Sequence, residues 1–146
     1  MKINANIVGT DALLKKFKSF GEEGERKFKQ VTSVAAQEIK KGAKDRAPVD
    51  TGKLRQSIFN RQQKGISQKI FTAEPYAAYL EFGTGGLVDV PQGWEDLASR
   101  FRGKGKKQIS LPAQPYLYPA FKEGSKQYVK DLDKELDKLT IKFNKK

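Results

Sequence analysis

Apolar residues along the first third of the chain recur at helical spacing. After a short stretch holding Ile3, Ile7 and Val8 that could form an edge strand, Thr10 or Asp11 offers an N-cap. Leu13, Phe17, Phe20, Phe28, Val31, Ala35 and Ile39 then follow at three- or four-residue steps, with lysines and glutamates between them. That is one apolar stripe on a helical segment over residues 11–46. Unbroken, it would run about 50 Å at ~1.5 Å per residue, so Gly21 and Gly24 are expected to break or bend it, and Pro48 ends it.

The period changes between residues 54 and 73. Ser57 and Phe59 lie before Gln62-Gln63-Lys64-Gly65, and Ile66, Ile70, Phe71 and Thr72 lie after it, which reads as a hairpin over 54–73. Pro75 introduces Tyr-Ala-Ala-Tyr-Leu-Glu-Phe, good helix composition for one or two turns and also readable as a strand; the short helix is favoured, and the glycines from Gly83 onward stop it either way. Residues 85–111 hold the only tryptophan and no sustained period, so they are expected to form a long loop, one that orders against a neighbour or DNA. Pro112, Pro115 and Pro119 predict extended backbone before a last helix over 119–143. Its stripe is Phe121, Tyr128, Leu132, Leu136, Leu139 and Phe143, with a solvated charged face between.

Composition narrows the chemistry. With 146 residues, of which 37% are hydrophobic, the chain suits one domain, 1–146. It contains neither cysteine nor histidine, which excludes disulfides, zinc clusters and Ser-His or Cys-His catalysis. No cofactor or metal is expected. No run approaches the roughly 18 to 20 apolar residues that would span a bilayer, and the first residues lack a signal-peptide layout. The expected location is the cytoplasm or an assembly built there.

Charge points outward: 29 Lys and Arg against 17 acids leave a net +12, so an anionic partner is expected. Two segments concentrate it. Arg100, Arg102, Lys104, Lys106 and Lys107 lie in a glycine-spaced run able to follow phosphates, or equally a solvated surface loop. The hairpin adds Lys53, Arg55, Arg61, Lys64 and Lys69 with no acid from Leu54 to Ala73. No aromatic ladder for stacking bases is evident beside these charges, so sequence-independent backbone contact is the expectation.

Asp50-Thr51-Gly52 spells the aspartic-protease triplet, which works only when two carboxylates share a proton. One copy exists here, so a hydrolase would have to be a homodimer. The plainer reading is a turn in which Asp50 or Thr51 accepts backbone N–H bonds and Gly52 takes a positive φ. Glu81, a lone carboxylate, is a poor catalyst and could pair with an arginine such as Arg55. Trp94, Phe101, Tyr116 and Tyr118 would either plug the edge of the core or anchor an interface.

Three segments, in this order, resemble a known family. They are Ala-Pro-x-Asp-Thr-Gly-x-Leu with Ser-Ile (Pro48, Asp50, Thr51, Gly52, Leu54, Ser57), Tyr-Ala near Glu-Phe-Gly-Thr (Tyr76, Ala77, Glu81, Phe82, Gly83, Thr84), and a proline-spaced block (Pro115, Pro119, Ala120) ahead of the final helix. The pattern is similar to the gene-product-ten-like tail-component family of long-tailed phages, whose members complete the tail and join it to the head. It extends over most of residues 11–139 but not over 86–110.

The resemblance implies an α+β fold, two long helices packed on a small antiparallel sheet; the long Gly-rich basic loop between the matched blocks is read from the residues alone and is not carried over from the family. It also implies a structural virion protein and no enzyme: a ring subunit at the head-tail junction, in contact with copies of itself and with neighbouring neck and tail proteins. DNA would pass through that ring, and either basic segment could face it. The alternatives are a free-standing nonspecific DNA-binding module and, remotely, the homodimeric aspartic hydrolase.

Overall fold

A computed structural model describes residues 4–6, 21–88, 91–100 and 110–144. The chain folds as α+β, two long helices against a three-stranded antiparallel sheet. Helix α1 spans Gly21–Arg46 and begins where a break was expected: Gly21 has φ +70°, which a continuous helix cannot accommodate. Residues 11–20 lie outside the described residues. Glu22 and Glu23 in the first turn and Lys44 and Arg46 in the last complement the helix dipole. Its buried face is Gly24, Phe28, Thr32, Ala35, Ala36, Ile39 and Ala43, the stripe read from the sequence with small residues added along it.

The opening of the expected hairpin is corrected: Lys53–Gln56 form a one-turn helix, α2, and strand β2 begins only at Ile58. Gly52 enters α2 at φ +78°, a left-handed conformation that favours glycine. Strands β2 (Ile58–Gln62) and β3 (Gln68–Thr72) pair antiparallel, and Asn4–Asn6 (β1) joins the other side of β3, giving the order β1-β3-β2. Alternation puts Ile58, Ile70 and Thr72 inside, under α1, where Lys40 Nζ donates to Asn60 Oδ1 at 2.8 Å.

Residues 77–82 are helical (α3), and residues 85–111 are not one long loop. A 3-10 turn at Gly85–Leu87 and the short helix α4, Glu95–Ser99, interrupt them. Trp94 ties that stretch to the subunit's own core with edge-to-face contacts to Phe82 at 5.9 Å and to Tyr118 at 5.5 Å.

Helix α5, Leu117–Asn144, starts two residues before the expected boundary and carries Pro119 in its first turn instead of in extended chain. The first turn donates no i→i−4 bond, so a missing N–H costs nothing there. The two long helices run antiparallel: Arg46 at the end of α1 pairs with Glu123 near the start of α5, and Lys142 near the end of α5 holds Glu23 at the start of α1 at 2.6 Å. Between these ends the helices approach closely through small residues. A Cβ on Gly124 would overlap Ile39, and one on Gly42 would meet the Ala120 Cβ at 3.4 Å. Thr32 and Tyr128 join hydroxyls across the seam at 2.9 Å.

Tyr116, directly before α5, is fully buried, yet its hydroxyl has no hydrogen-bond partner among the described residues. Burial, then the neighbouring Glu81 carboxylate and Tyr76, push its ionisation well above the usual phenol range, so it stays neutral. An orphaned buried hydroxyl costs stability that a phenyl ring does not. Tyr116→Phe is therefore expected to leave the fold intact and raise its stability by about 1 kcal/mol in urea denaturation; a loss would mean that the hydroxyl is satisfied in solution.

Candidate functional site

The second and third sequence blocks, far apart in the chain, meet around the start of α5, and the first borders the second across a cleft. An α-helix leaves its first backbone N–H groups without intrahelical acceptors. Here the Glu81 carboxylate, presented from α3, takes them: Oε2 accepts from Tyr116 and Leu117 at 2.9 Å each, and Oε1 from Tyr118 at 2.8 Å. The next residue is Pro119, which has no N–H to satisfy. Glu81 is thus a cap supplied across the fold, and the expected pairing with Arg55 does not form; Arg55 Nε instead donates to the Lys44 carbonyl at 3.0 Å.

Around the cap the second and third blocks are laced together. Thr84 N donates to Leu111 O at 3.0 Å, Leu111 N to Thr84 Oγ1 at 2.9 Å, and Gln114 N to Leu80 O at 2.7 Å. The close approach is possible because Gly83 lies between them at φ +74°: a Cβ there would come within 2.6 Å of Leu87 O and 2.7 Å of Leu111 O. Ala77, Phe82 and Ala120 are buried beneath, while Pro115 is exposed and Pro119 half-buried.

The first block closes the other side. Pro48 is half-buried and Leu54 buried. Ser57, also buried, donates to Leu54 O at 2.8 Å and lies 2.6 Å from Thr72 Oγ1, which in turn accepts from Glu74 N. With these donors assigned, the Thr72 hydroxyl donates to Ser57, so each hydroxyl is used once. Asp50 and Thr51 are exposed, and no side chain caps α2, so the expected capping by either residue is not found.

A cleft of about 290 Å³ opens between the first and second blocks, lined by Pro48 through Leu54 with Tyr76 and Leu80. Exposed Val49, Tyr76 and Tyr79 give this side an apolar rim. Asp50 is the only carboxylate in the lining, whereas aspartic-protease chemistry needs two sharing a proton. Its lining holds no hydrolytic pair.

The basic segments divide. Arg100 is exposed at the end of α4, while Arg102, Lys104, Lys106 and Lys107 lie outside the described residues. Lys53, Arg55, Arg61 and Lys64 of the hairpin region are exposed and Lys69 half-buried. On the outer face of the sheet Arg61 stands opposite Lys69, and Phe59 opposite Phe71 with ring centroids 6.1 Å apart. That aromatic pair was missed in the sequence. The signal is there once the turn is centred on 65: residues whose numbers sum to 130 face each other.

No helix among the described residues is long and apolar enough to cross a membrane. A family model described as "Bacteriophage HK97-gp10, putative tail-component" matches residues 11–83, half of the chain, and takes in the first block and the second as far as Gly83, Glu81 included. No curated protein and no solved structure matches.

Burial raises the pKa of Glu81 from its ordinary 4.5, outweighing the three N–H bonds that lower it. Over the window between those two values the folded chain holds a proton that the unfolded chain has released. The group's contribution is therefore complete below 4.5 and declines as pH rises through the folded-state value. Glu81→Gln, which loses one acceptor oxygen, should cost about 2 kcal/mol. The gap between the two proteins should narrow as pH rises from 4.5, which paired urea titrations would measure. Gly83→Ala should cost about 3 kcal/mol or more, because backbone atoms on two sides have to move; thermal unfolding of that variant checks it.

Proposed function

The chain belongs to the HK97-gp10-like family of bacteriophage tail components, and from that premise we propose that it is a tail-completion, head-tail joining protein: one subunit of a neck ring through which DNA passes. The observation that carries this reading is the family match over residues 11–83, joined through Glu81 to a third block beyond the matched span. A part of this kind does its work by contact. The apolar rim of Val49, Tyr76 and Tyr79 beside the cleft is the surface offered to another copy of the chain or to a neighbouring tail protein.

Charge supports the DNA side of the proposal. Copies carrying +12 each repel one another around a ring unless an anion or an acidic neighbour offsets them. Either the hairpin face or the segment from Arg100 to Lys107 is turned toward the channel in this reading. The protein would assemble in the host cytoplasm and reside in the virion at the junction, held by neck and tail partners, with no cofactor and no catalytic step.

The second reading, a free-standing nonspecific DNA-binding module, is favoured by the acid-free hairpin alone. It requires tight binding of free DNA that weakens by close to one log unit per phosphate contact with each log unit of salt. Deleting the gene from a phage that encodes this chain separates the two. The neck reading expects filled heads and unattached tails, restored to infectious particles by the wild-type chain supplied in trans. Infectious, normally joined particles from the deletion strain, or neck density without this chain, would overturn it.

A further inference from the structure

Charge is segregated in two adjoining segments of this chain. From Lys53 to Thr72 there is no acid, while Lys53, Arg55, Arg61, Lys64 and Lys69 are basic; from Ala73 to Ser99 there is no base, while Glu74, Glu81, Asp89, Glu95 and Asp96 are acidic. Glu81 is taken up inside as the helix cap, and Asp89 lies outside the described residues. That leaves half-buried Glu74 ahead of α3, and exposed Glu95 and Asp96 on α4, which Trp94 sets beside Phe82 at the other end of α3. Tyr76 and Tyr79 are exposed on α3, Val49 is exposed at the cleft that Tyr76 also lines, and Leu87 is exposed just after the helix. The α3 side is thus an apolar strip with carboxylates toward both ends and no cation in its own segment.

The hairpin is its counterpart. Phe59 is 49% exposed, Arg61 follows it on the same face opposite Lys69, and Lys64 is exposed at the turn. Among the described residues no ion pair uses Arg61, Lys64, Lys69, Glu74, Glu95 or Asp96. At about 3.3 Å per residue the turn stands roughly 20 Å from Thr72, which carries Lys64 away from Glu74 of its own subunit. We propose that the hairpin of one copy docks on the α3 side of the next, with Phe59 against the Tyr76 and Tyr79 rim and Arg61 and Lys64 opposite the carboxylates. This contact covers the exposed ring, answers the like charges that face each other across the sheet, and turns repulsion between +12 copies into attraction. DNA or an acidic protein on the hairpin would leave the acidic apolar strip uncovered. The two patches differ, so the contact is head-to-tail and closes into a ring where the rotation allows. The inference rests on the neck-ring reading and deepens it: the hairpin joins subunits, and the segment from Arg100 to Lys107 is left for the channel.

Sedimentation velocity of the full chain at low salt, over a range of concentrations, tests it. The wild-type chain should associate as concentration rises, pass the dimer, and dissociate as salt is added. Arg61→Glu with Lys64→Glu reverses the hairpin, and Glu74→Lys with Asp96→Lys reverses the α3 side. Glu95 is left in place because its Oε1 accepts from Gly93 N at 2.9 Å. Each reversed chain alone should associate more weakly by about tenfold or more. An equimolar mixture of the two should recover association, since each acidic hairpin then finds a basic face and each basic hairpin an acidic one. The four changes combined in one chain should recover it as well.

A wild-type chain that stays monomeric up to its solubility limit, or stops at the dimer, would overturn the inference. So would a mixture of reversed chains that associates no better than its components, because charge pairing across the contact would then be absent. Loss of duplex DNA binding on reversing the hairpin, with self-association unchanged, would assign the hairpin to DNA instead. Circular dichroism melts identify any variant that fails to fold, and the single changes Lys64→Glu and Asp96→Lys, both at exposed positions, then carry the test. The outcome is independent of the deletion phenotype: particles can fail to join whichever surfaces meet, and purified copies can meet this way in a protein that joins nothing.

Discussion

The fold depends on a single carboxylate placed at the start of the last helix. Glu81 is buried from solvent, and burying a charge without compensation is among the most costly things a protein can do. Here three backbone N–H groups and the positive end of a 28-residue helix dipole surround it. The helix gains acceptors for the donors that its own geometry leaves over, and Pro119 removes the donor that Glu81 could not reach. Neither partner is satisfied without the other. Removing the carboxylate therefore disturbs the docking of α3 on α5 as well as the helix end.

The rest of the structure follows from that attachment. With the start of α5 held over α3, the helix runs back along α1 in the one register where Gly124 faces Ile39, Gly42 faces Ala120 and the ends pair as Arg46 with Glu123 and Glu23 with Lys142. Those exposed ion pairs are worth little each. The close contact of small residues along the seam supplies the burial, and it leaves little tolerance for added volume. Gly83 plays the matching part at the other end, letting three backbone segments approach where any side chain would intrude.

A molecule organised this way invests its interior in shape and leaves its chemistry on the surface. Among the described residues the interior holds few polar side chains, and nearly all of them are satisfied, as in the Ser57–Thr72 relay and the Thr32–Tyr128 bond. Outside lie an apolar rim beside a cleft and a sheet face whose cations repel one another. Both faces suit a component whose stable form is reached in an assembly, which agrees with membership of a family of phage tail components.

Periodicity along the chain determined the two long helices, the hairpin and the short helix around Ala77–Phe82, because each of these is a local pattern repeated over several residues. The three blocks pointed to the family that the match over residues 11–83 then showed. What Glu81 does was not legible there. A lone carboxylate between Leu80 and Phe82 carries no local sign of a helix end 35 residues away, and the nearer guess of an arginine was wrong. The one-turn helix at Lys53–Gln56 escaped notice because four residues are too few to show a period. Trp94 looked like part of a loose loop because its partners, Phe82 and Tyr118, stand on elements that only the packed fold brings beside it. Local patterns follow from backbone geometry, and the sequence displays them; which donor meets which acceptor is decided by long-range packing, and only the tertiary structure holds that information.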